Sequence, residues 1–369
     1  MSIKIGIIGC GGIANQKHLP ALRKQAHRAE LVAFCDLIPE RAEKAAAEYG
    51  APGAKTYTDY HDLLADPAIE VVHVLTPNVS HCEISMAALE AGKHVMCEKP
   101  MAATVEDAQR MMDAYQRSGK LFTIGYQNRY RPDSQALKRL CGDGELGEIY
   151  YAQAHALRRR GVPTWGVFTD KSKQGGGPLI DIGTHSLDLT LWFMDNYEPA
   201  AVTGVTFEKL GKTLPAHQQG NGMGPWDPDA FEVEDAAFGF VTMKDGSLIT
   251  IDTSWVLNST EERCAASTLC GTIAGAELTG VGGKNNGKLY MNKIMGNRQV
   301  EIDVNTTAGG VDLFPGQKAS AGDVEAQVWL DAIEGKGELV VKPEQAFVVT
   351  KILDAVYQSA KTGRQVVFQ

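Results

Sequence analysis

The sequence predicts an α/β domain followed by an α+β domain: a doubly wound parallel sheet, then an open-faced, mostly antiparallel β-sheet. Three observations carry that expectation. The chain has 369 residues, more than one hydrophobic core commonly serves. Its first third alternates short, wholly apolar runs with helical patterns, as parallel strands covered on both faces do. After about residue 122 the runs lengthen and partly alternate, as strands with one open face do. The expected division is 1–122 and 123–369.

In chain order, "IKIGIIG" (3–9) is an apolar strand ended by glycine, and 14–25 reads as a helix. "ELVAFCD" (30–36) is a second strand, and "PERAEKAAAEYG" (39–50) a helix with proline at its start and Gly50 past its end. "VVHVLT" (71–76) is a strand, and the helix after it places Ile84, Ala87, Ala88 and Ala91 on one face. "KHVMC" (93–97), a helix over 104–118 and "KLFTIGY" (120–126) complete the first domain. The second domain offers strands in 147–158, 200–210, 231–243 and 246–257, the last two joined by "KDGS", an Asp-Gly hairpin signal. Residues 211–230 and 304–320 read as long loops, and 344–361 as a C-terminal helix.

Charge and cysteine content exclude several classes. The net charge is −9 and no basic tract stands out, which argues against nucleic acid or an anionic membrane as partner. No apolar run reaches the roughly 18–20 residues of a membrane span. The seven cysteines are scattered with no CxxC pair, so they read as reduced thiols with no metal site. The N-terminus enters a strand without a signal-peptide pattern, and the expected setting is the cytoplasm.

The first strand leads into Gly9-x-Gly11-x-x-Ala14. Gly9 permits the tight turn, Gly11 lets the backbone approach a pyrophosphate, and Ala14 lets helix and strand pack closely. The helix N-terminus then offers N–H groups to the phosphates. Gly12 and Ile13 complete this expected phosphate loop. Asp36 ends the second strand, where a carboxylate takes ribose hydroxyls and repels a 2′-phosphate, favouring NAD. Arg41, Thr76, Pro77, Asn78, His81, Glu98, Lys99 and Gln127 are the further expected cofactor contacts, most of them just past a strand's carboxyl end. Cys10 reads as a small residue that fits its place, and His18 as a packed or surface histidine.

Lys99 follows a buried strand at that same edge, and Pro100 restricts its backbone. An ammonium held there can bind a substrate hydroxyl and stabilise oxyanion charge. In "GGGPLIDIGTHSLDLTLWFM", Asp181 and His185 are four residues apart and share a face if a helix begins near Asp181. Hydride removal from an alcohol carbon needs a base for the hydroxyl proton, and histidine titrates in the right range. An N-capping Asp181 with a packed His185 fits the spacing equally well. Asp188 reads as helix-surface charge.

Together these residues resemble the glucose–fructose oxidoreductase, inositol dehydrogenase and rhizopine-catabolism family, Gfo/Idh/MocA. The resemblance spans nearly the whole chain in order: "GIIGCGGIA", "TPNVSH", "GKHVMCEKPMA", "GYQNRYRP", "GGGPLIDIGTHSLDL", "VEDAA", "LCGTIAGAEL" and "ILDAVYQSAKTGRQV". It implies a Rossmann domain and a sheet domain used for oligomer contact, as a homodimer or homotetramer. It also implies a cis Lys99–Pro100 bond and a catalytic set of Lys99, Asp181 and His185, with histidine as base. Asn128, Arg129, Arg158 and Trp165 join those three as expected substrate contacts, Trp165 within the segment 158–168. A neutral sugar, glycoside or inositol is the expected substrate and NAD the cofactor. Two alternatives stay open: tightly bound NAD used for transient oxidation during glycoside cleavage or elimination, and a sugar sensor without catalysis.

Overall fold

The computed structural model describes residues 2–220, 223–281, 287–306 and 319–368. It divides into two compact units, Met1–Tyr130 with Gly316–Phe347, and Arg131–Pro315 with Val348–Gln369. Among the described residues no helix is long and apolar enough to cross a membrane.

The first unit is built on six parallel strands: β1 (Ile3–Ile8), β2 (Ala29–Cys35), β3 (Lys55–Tyr57), β4 (Val71–Val74), β5 (His94–Cys97) and β6 (Phe122–Ile124). Their order is β3-β2-β1-β4-β5-β6. The continuous apolar runs become central strands; Ile5, Ile7, Val71, Val72 and Val95 have no exposure. The strand order reverses between β1 and β4, the switch point beyond whose carboxyl ends open α/β sheets take their ligands. The helix Val105–Ser118 is capped by Thr104, whose hydroxyl accepts the Asp107 N–H, and it stops at left-handed Gly119.

The chain returns to this unit late. The helix Ala321–Ile333 starts at a Ser320/Asp323 capping box and packs Trp329 and Leu330 into the core that holds Ile5, Leu19 and Leu31. Arg28 ties its far end down through Asp331 and Glu334. The first unit thus takes in 123–130 and a returning segment beside the expected 1–122, and Ala326, Trp329, Leu330, Ile333 and Leu339 of that segment join its core.

The second unit holds nine strands: β7 (Ile149–Leu157), β8 (Pro199–Phe207), β9 (Ala236–Met243), β10 (Leu248–Ser254), β11 (Arg263–Gly271), β12 (Ala274–Leu278), β13 (Leu289–Met295), β14 (Arg298–Asp303) and β15 (Val366–Val367). Their order is β14-β13-β12-β11-β7-β10-β9-β8-β15, antiparallel except for the β7–β10 pair. The Asp245-Gly246 turn joins β9 to β10 as expected, with Gly246 at φ 88. One face packs Ala152, Ala154, Ile249 and Ile251 inward. The opposite face carries Val205, Phe207 and Phe240 in the open. The segment 211–230 contains helical turns at Leu210–Thr213 and Ala216–Gln218, and most of the other expected loop, 307–318, lies outside the described residues.

Candidate active site

The glycine loop leaves β1 through a conformation only glycine holds easily. Gly9 has φ 92, and a Cβ there would sit 2.6 Å from the Leu75 carbonyl oxygen at the end of β4. Gly11 and Gly12 differ: a Cβ on either would meet nothing within 4 Å. No neighbour in the chain excludes a side chain there, and the open space suits the close approach of a pyrophosphate, so these residues fit NAD. Asp36 stands over the loop. Its Oδ2 accepts the Cys10 N–H at 2.8 Å and its Oδ1 the Ile38 N–H at 2.9 Å. An ionised carboxylate has acceptor sites beyond these two for ribose hydroxyls. The Cys10 side chain is buried, and burial with Asp36 nearby pushes its thiol up to about 12, far from a reactive thiolate.

The lysine turn rests on a buried charge cluster. Lys99–Pro100 is a cis peptide and Lys99 is half-buried. Behind it Glu98 accepts Lys17 Nζ at 2.7 Å and the Lys99 N–H at 3.1 Å, and its Oε1 lies 2.8 Å from His18 Nε2. Lys17 also pairs with Glu325 at 2.8 Å and reaches Gln127 Oε1 at 3.3 Å. His18 Nδ1 lies 3.2 Å from His73 Nδ1. Burial alone would raise the Glu98 pKa, but Lys17 and His18 hold it well below the ordinary carboxylate range. Gly125 closes the wall: a Cβ there would lie 3.0 Å from Glu98 Oε1. His18 is thus the packed histidine, and the sequence reading missed Lys17, His73 and Glu325. The capping pattern at Ser320 and the helical spacing of Ala326, Trp329, Leu330 and Ile333 are the local signals for the helix that carries Glu325.

In the second unit Asp181 and His185 lie on one continuous helical run. A wide turn, Leu179–Gly183, passes directly into the α-helix Thr184–Met194. Asp181 is therefore inside the helical backbone and is not its N-cap. It is buried, and its Oδ2 accepts the Trp255 indole N–H at 3.1 Å. Glu234 holds the start of the run, accepting the N–H groups of Gly177 at 2.9 Å and Leu179 at 3.2 Å and the Tyr357 hydroxyl at 2.8 Å. Asp188, expected on the helix surface, is buried with 1% exposure.

The other expected contacts divide. Ile13, Arg41 and Pro77 are exposed, and Thr76, Asn78, Gln127 and Asn128 half-buried, around the first unit's strand ends. His81 is fully buried, its Nδ1 2.8 Å from the Pro100 carbonyl oxygen and its Nε2 2.9 Å from that of Thr76. Both ring nitrogens are engaged, so His81 joins the Thr76 and Pro100 backbones that follow β4 and β5. Arg129 has no exposure, and its guanidinium donates to Val340 O and Gln345 Oε1. It secures the returning segment. Arg158 donates to Gly161 O at 3.1 Å, and Trp165 is 55% exposed. Lys99 belongs to one unit, Asp181 and His185 to the other.

Comparison with known proteins agrees with both halves. Residues 3–126 match the model "Oxidoreductase family, NAD-binding Rossmann fold", and residues 138–368 match "Oxidoreductase family, C-terminal alpha/beta domain". The chain is 36% identical over 367 residues to a D-glucoside 3-dehydrogenase of Escherichia coli (strain K12), covering 99% of this chain and 97% of that protein. An inositol 2-dehydrogenase of Salmonella typhimurium is 35% identical over 196 residues, 53% of this chain and 55% of that one. Among solved structures, a levoglucosan dehydrogenase in complex with NADH and levoglucosan shares the fold at TM-score 0.83 and 22% identity, covering 100% of this chain and 99% of that one. An oxidoreductase domain protein from Kribbella flavida does so at TM-score 0.83 and 23% identity, covering 100% of both. With both family models matched end to end, the chain belongs to the Gfo/Idh/MocA oxidoreductase family and carries its NAD-binding Rossmann domain.

Proposed function

We propose that the protein is an NAD-dependent dehydrogenase that oxidises a secondary hydroxyl of a sugar, glycoside or inositol-type polyol. The observation that carries this reading is the carboxyl edge of the parallel sheet. There the open Gly11–Gly12 loop, the fixed Asp36 carboxylate and the braced Lys99 turn follow β1, β2 and β5. The D-glucoside 3-dehydrogenase likeness supports the substrate class. Gly9, Gly11, Gly12 and Ala14 would hold the pyrophosphate and Asp36 the ribose. Bound NAD supplies the hydride acceptor. Lys99 would hold the reacting hydroxyl and steady its negative charge, and His185 would take the proton. Asp181, itself held by the Trp255 indole, would orient His185 or bind a neighbouring hydroxyl. We also infer assembly through the open face of the nine-stranded sheet, and a reducing, cytoplasmic setting that suits seven free thiols.

A panel of inositols, pyranoses and glycosides, followed by NADH absorbance, tests the activity. Lys99→Ala is expected to lower kcat by roughly 10²–10³-fold while NAD affinity by calorimetry stays within a few fold. Near-normal turnover in that variant would sink the assignment. Cofactor that co-purifies without net NADH formation on any member would replace dehydrogenation with transient oxidation.

A further inference from the structure

The segments 158–168 and 211–230 meet in the second unit. The Thr164 hydroxyl donates to Met223 O, and the Arg160 guanidinium spans from Gln218 O to Asn258 Oδ1. Between them lies a recess of about 200 Å³. Trp165, Phe168 and Trp226 supply its aromatic lining, with Thr164, Thr169 and Asp227 as polar groups. Trp226 is rigid: its indole donates to Gly211 O at 2.8 Å, and the Gln219 side chain bonds both its N–H and its C=O. Trp165 stands half-exposed, its ring edge-on to Phe168 at 6.0 Å.

The recess connects to Asp181. Phe168 meets Trp255 edge-on at 6.4 Å, and the Trp255 indole donates to Asp181 Oδ2. Trp226, Trp255 and Ile182, the residue after Asp181, share one apolar cluster. A group seated against Trp165 and Phe168 is therefore one aromatic ring removed from Trp255, the side chain that donates to Asp181.

We propose that this recess is a second subsite, which takes the aglycone or second ring of a glycoside. The inference rests on the proposed dehydrogenase reading and narrows its substrate class from polyols at large to glycosides. Size is the first reason: the recess is smaller than the roughly 300–1,000 Å³ of clefts for drug-sized ligands, and suits one ring. Chemistry is the second. Aromatic faces reward an apolar ring face, and a free inositol is a single ring, so with that ring at the catalytic residues it has no second group to place there.

The test is calorimetric binding of phenyl and methyl D-glucopyranosides, α and β, to the full chain saturated with NADH. Turnover of the same four compounds with NAD is measured beside it. The phenyl compound of at least one anomer is expected to bind about two- to tenfold more tightly than its methyl partner. Trp165→Ala and Ala230→Phe, the second of which fills the recess, should each reduce that ratio toward one. Circular dichroism melting checks that both variants fold. Equal binding of phenyl and methyl glucosides for both anomers overturns the subsite, as does a ratio that survives in both folded variants. A phenyl preference lost in the variants, with no NADH formed, keeps the subsite and removes the dehydrogenase reading. Turnover with no phenyl preference does the reverse.

Discussion

At Glu98 a lysine, a histidine and a backbone N–H converge on one buried carboxylate, and Lys17 carries the arrangement on to Glu325. Burial opposes the charge on Lys17, yet Glu325 and Glu98 hold its ammonium above the ordinary lysine range. His73 ends the chain of contacts. Burial, with His18 and Lys17 close by, holds its pKa well below the ordinary histidine range, and Glu98 offsets this only in part. The unfolded chain takes up this proton near pH 6.5, but the folded chain does so only at lower pH. The group's contribution to stability is therefore whole above about pH 6.5 and is lost as pH falls from there toward the folded value. The loss is at most about 1.4 kcal/mol per pH unit for one proton. His73→Gln, which keeps a polar partner for His18 but cannot titrate, is expected to flatten the decline. Urea midpoints at pH 7.5 and 5.5 measure it. Identical pH dependence in wild type and variant would show that His73 does not hold this proton off.

Among the elements, the helical run bearing Asp181 depends on Glu234, which accepts two N–H groups at its start. Gly177 packs so closely that a Cβ would lie 2.2 Å from Glu234 O. Glu234→Ala leaves those N–H groups and the Tyr357 hydroxyl without this acceptor, an expected cost of about 1–3 kcal/mol. It should also lower kcat while leaving the KM for NAD unmoved, because the cofactor residues sit in the other unit. Glu234→Gln, whose one oxygen can still accept the Leu179 N–H and the Tyr357 hydroxyl while its amide nitrogen faces the Gly177 N–H, should recover part of the loss. Wild-type stability and kcat in the Ala variant would remove Glu234 from this role. The contrast with Gly9 shows what a sequence discloses. The strand, the glycine turn and Asp36 obey local rules within one βαβ unit, so they could be read directly. Asp181 read equally well as an N-cap because spacing cannot reveal that a distant carboxylate supports the backbone upstream of it. Lys17 and Glu325 come from opposite ends of the chain, and no local pattern pairs them. The burial of Arg129 was hidden too, because a charged residue past a strand end usually is exposed; here it donates to the returning segment.

For the whole molecule, the proposed assembly rests on the open face of the nine-stranded sheet. Phe240 is 57% exposed, Val205 47% and Phe207 40%. Their strands are neighbours: Thr203 pairs with Phe240 and Val205 with Phe238, and the Phe207 and Phe238 rings meet at 6.1 Å. An exposed apolar area on adjacent strands marks an interaction site, and a second copy brings the same surface to meet it. Across a two-fold axis each substitution appears on both sides, so Val205→Glu with Phe240→Glu sets like charges opposite one another. The doubly substituted protein is expected to run at the mass of one chain in size-exclusion light scattering, where wild type runs at a multiple of it. Its melting temperature should fall mainly by whatever the assembly contributed, since neither side chain enters the core of the sheet domain. A wild type that scatters as a single chain, or a double variant that keeps the wild-type mass, rejects this face as the contact. If the variant separates but still oxidises its substrate, the active site is complete within one chain; if activity falls with mass, the activity depends on assembly.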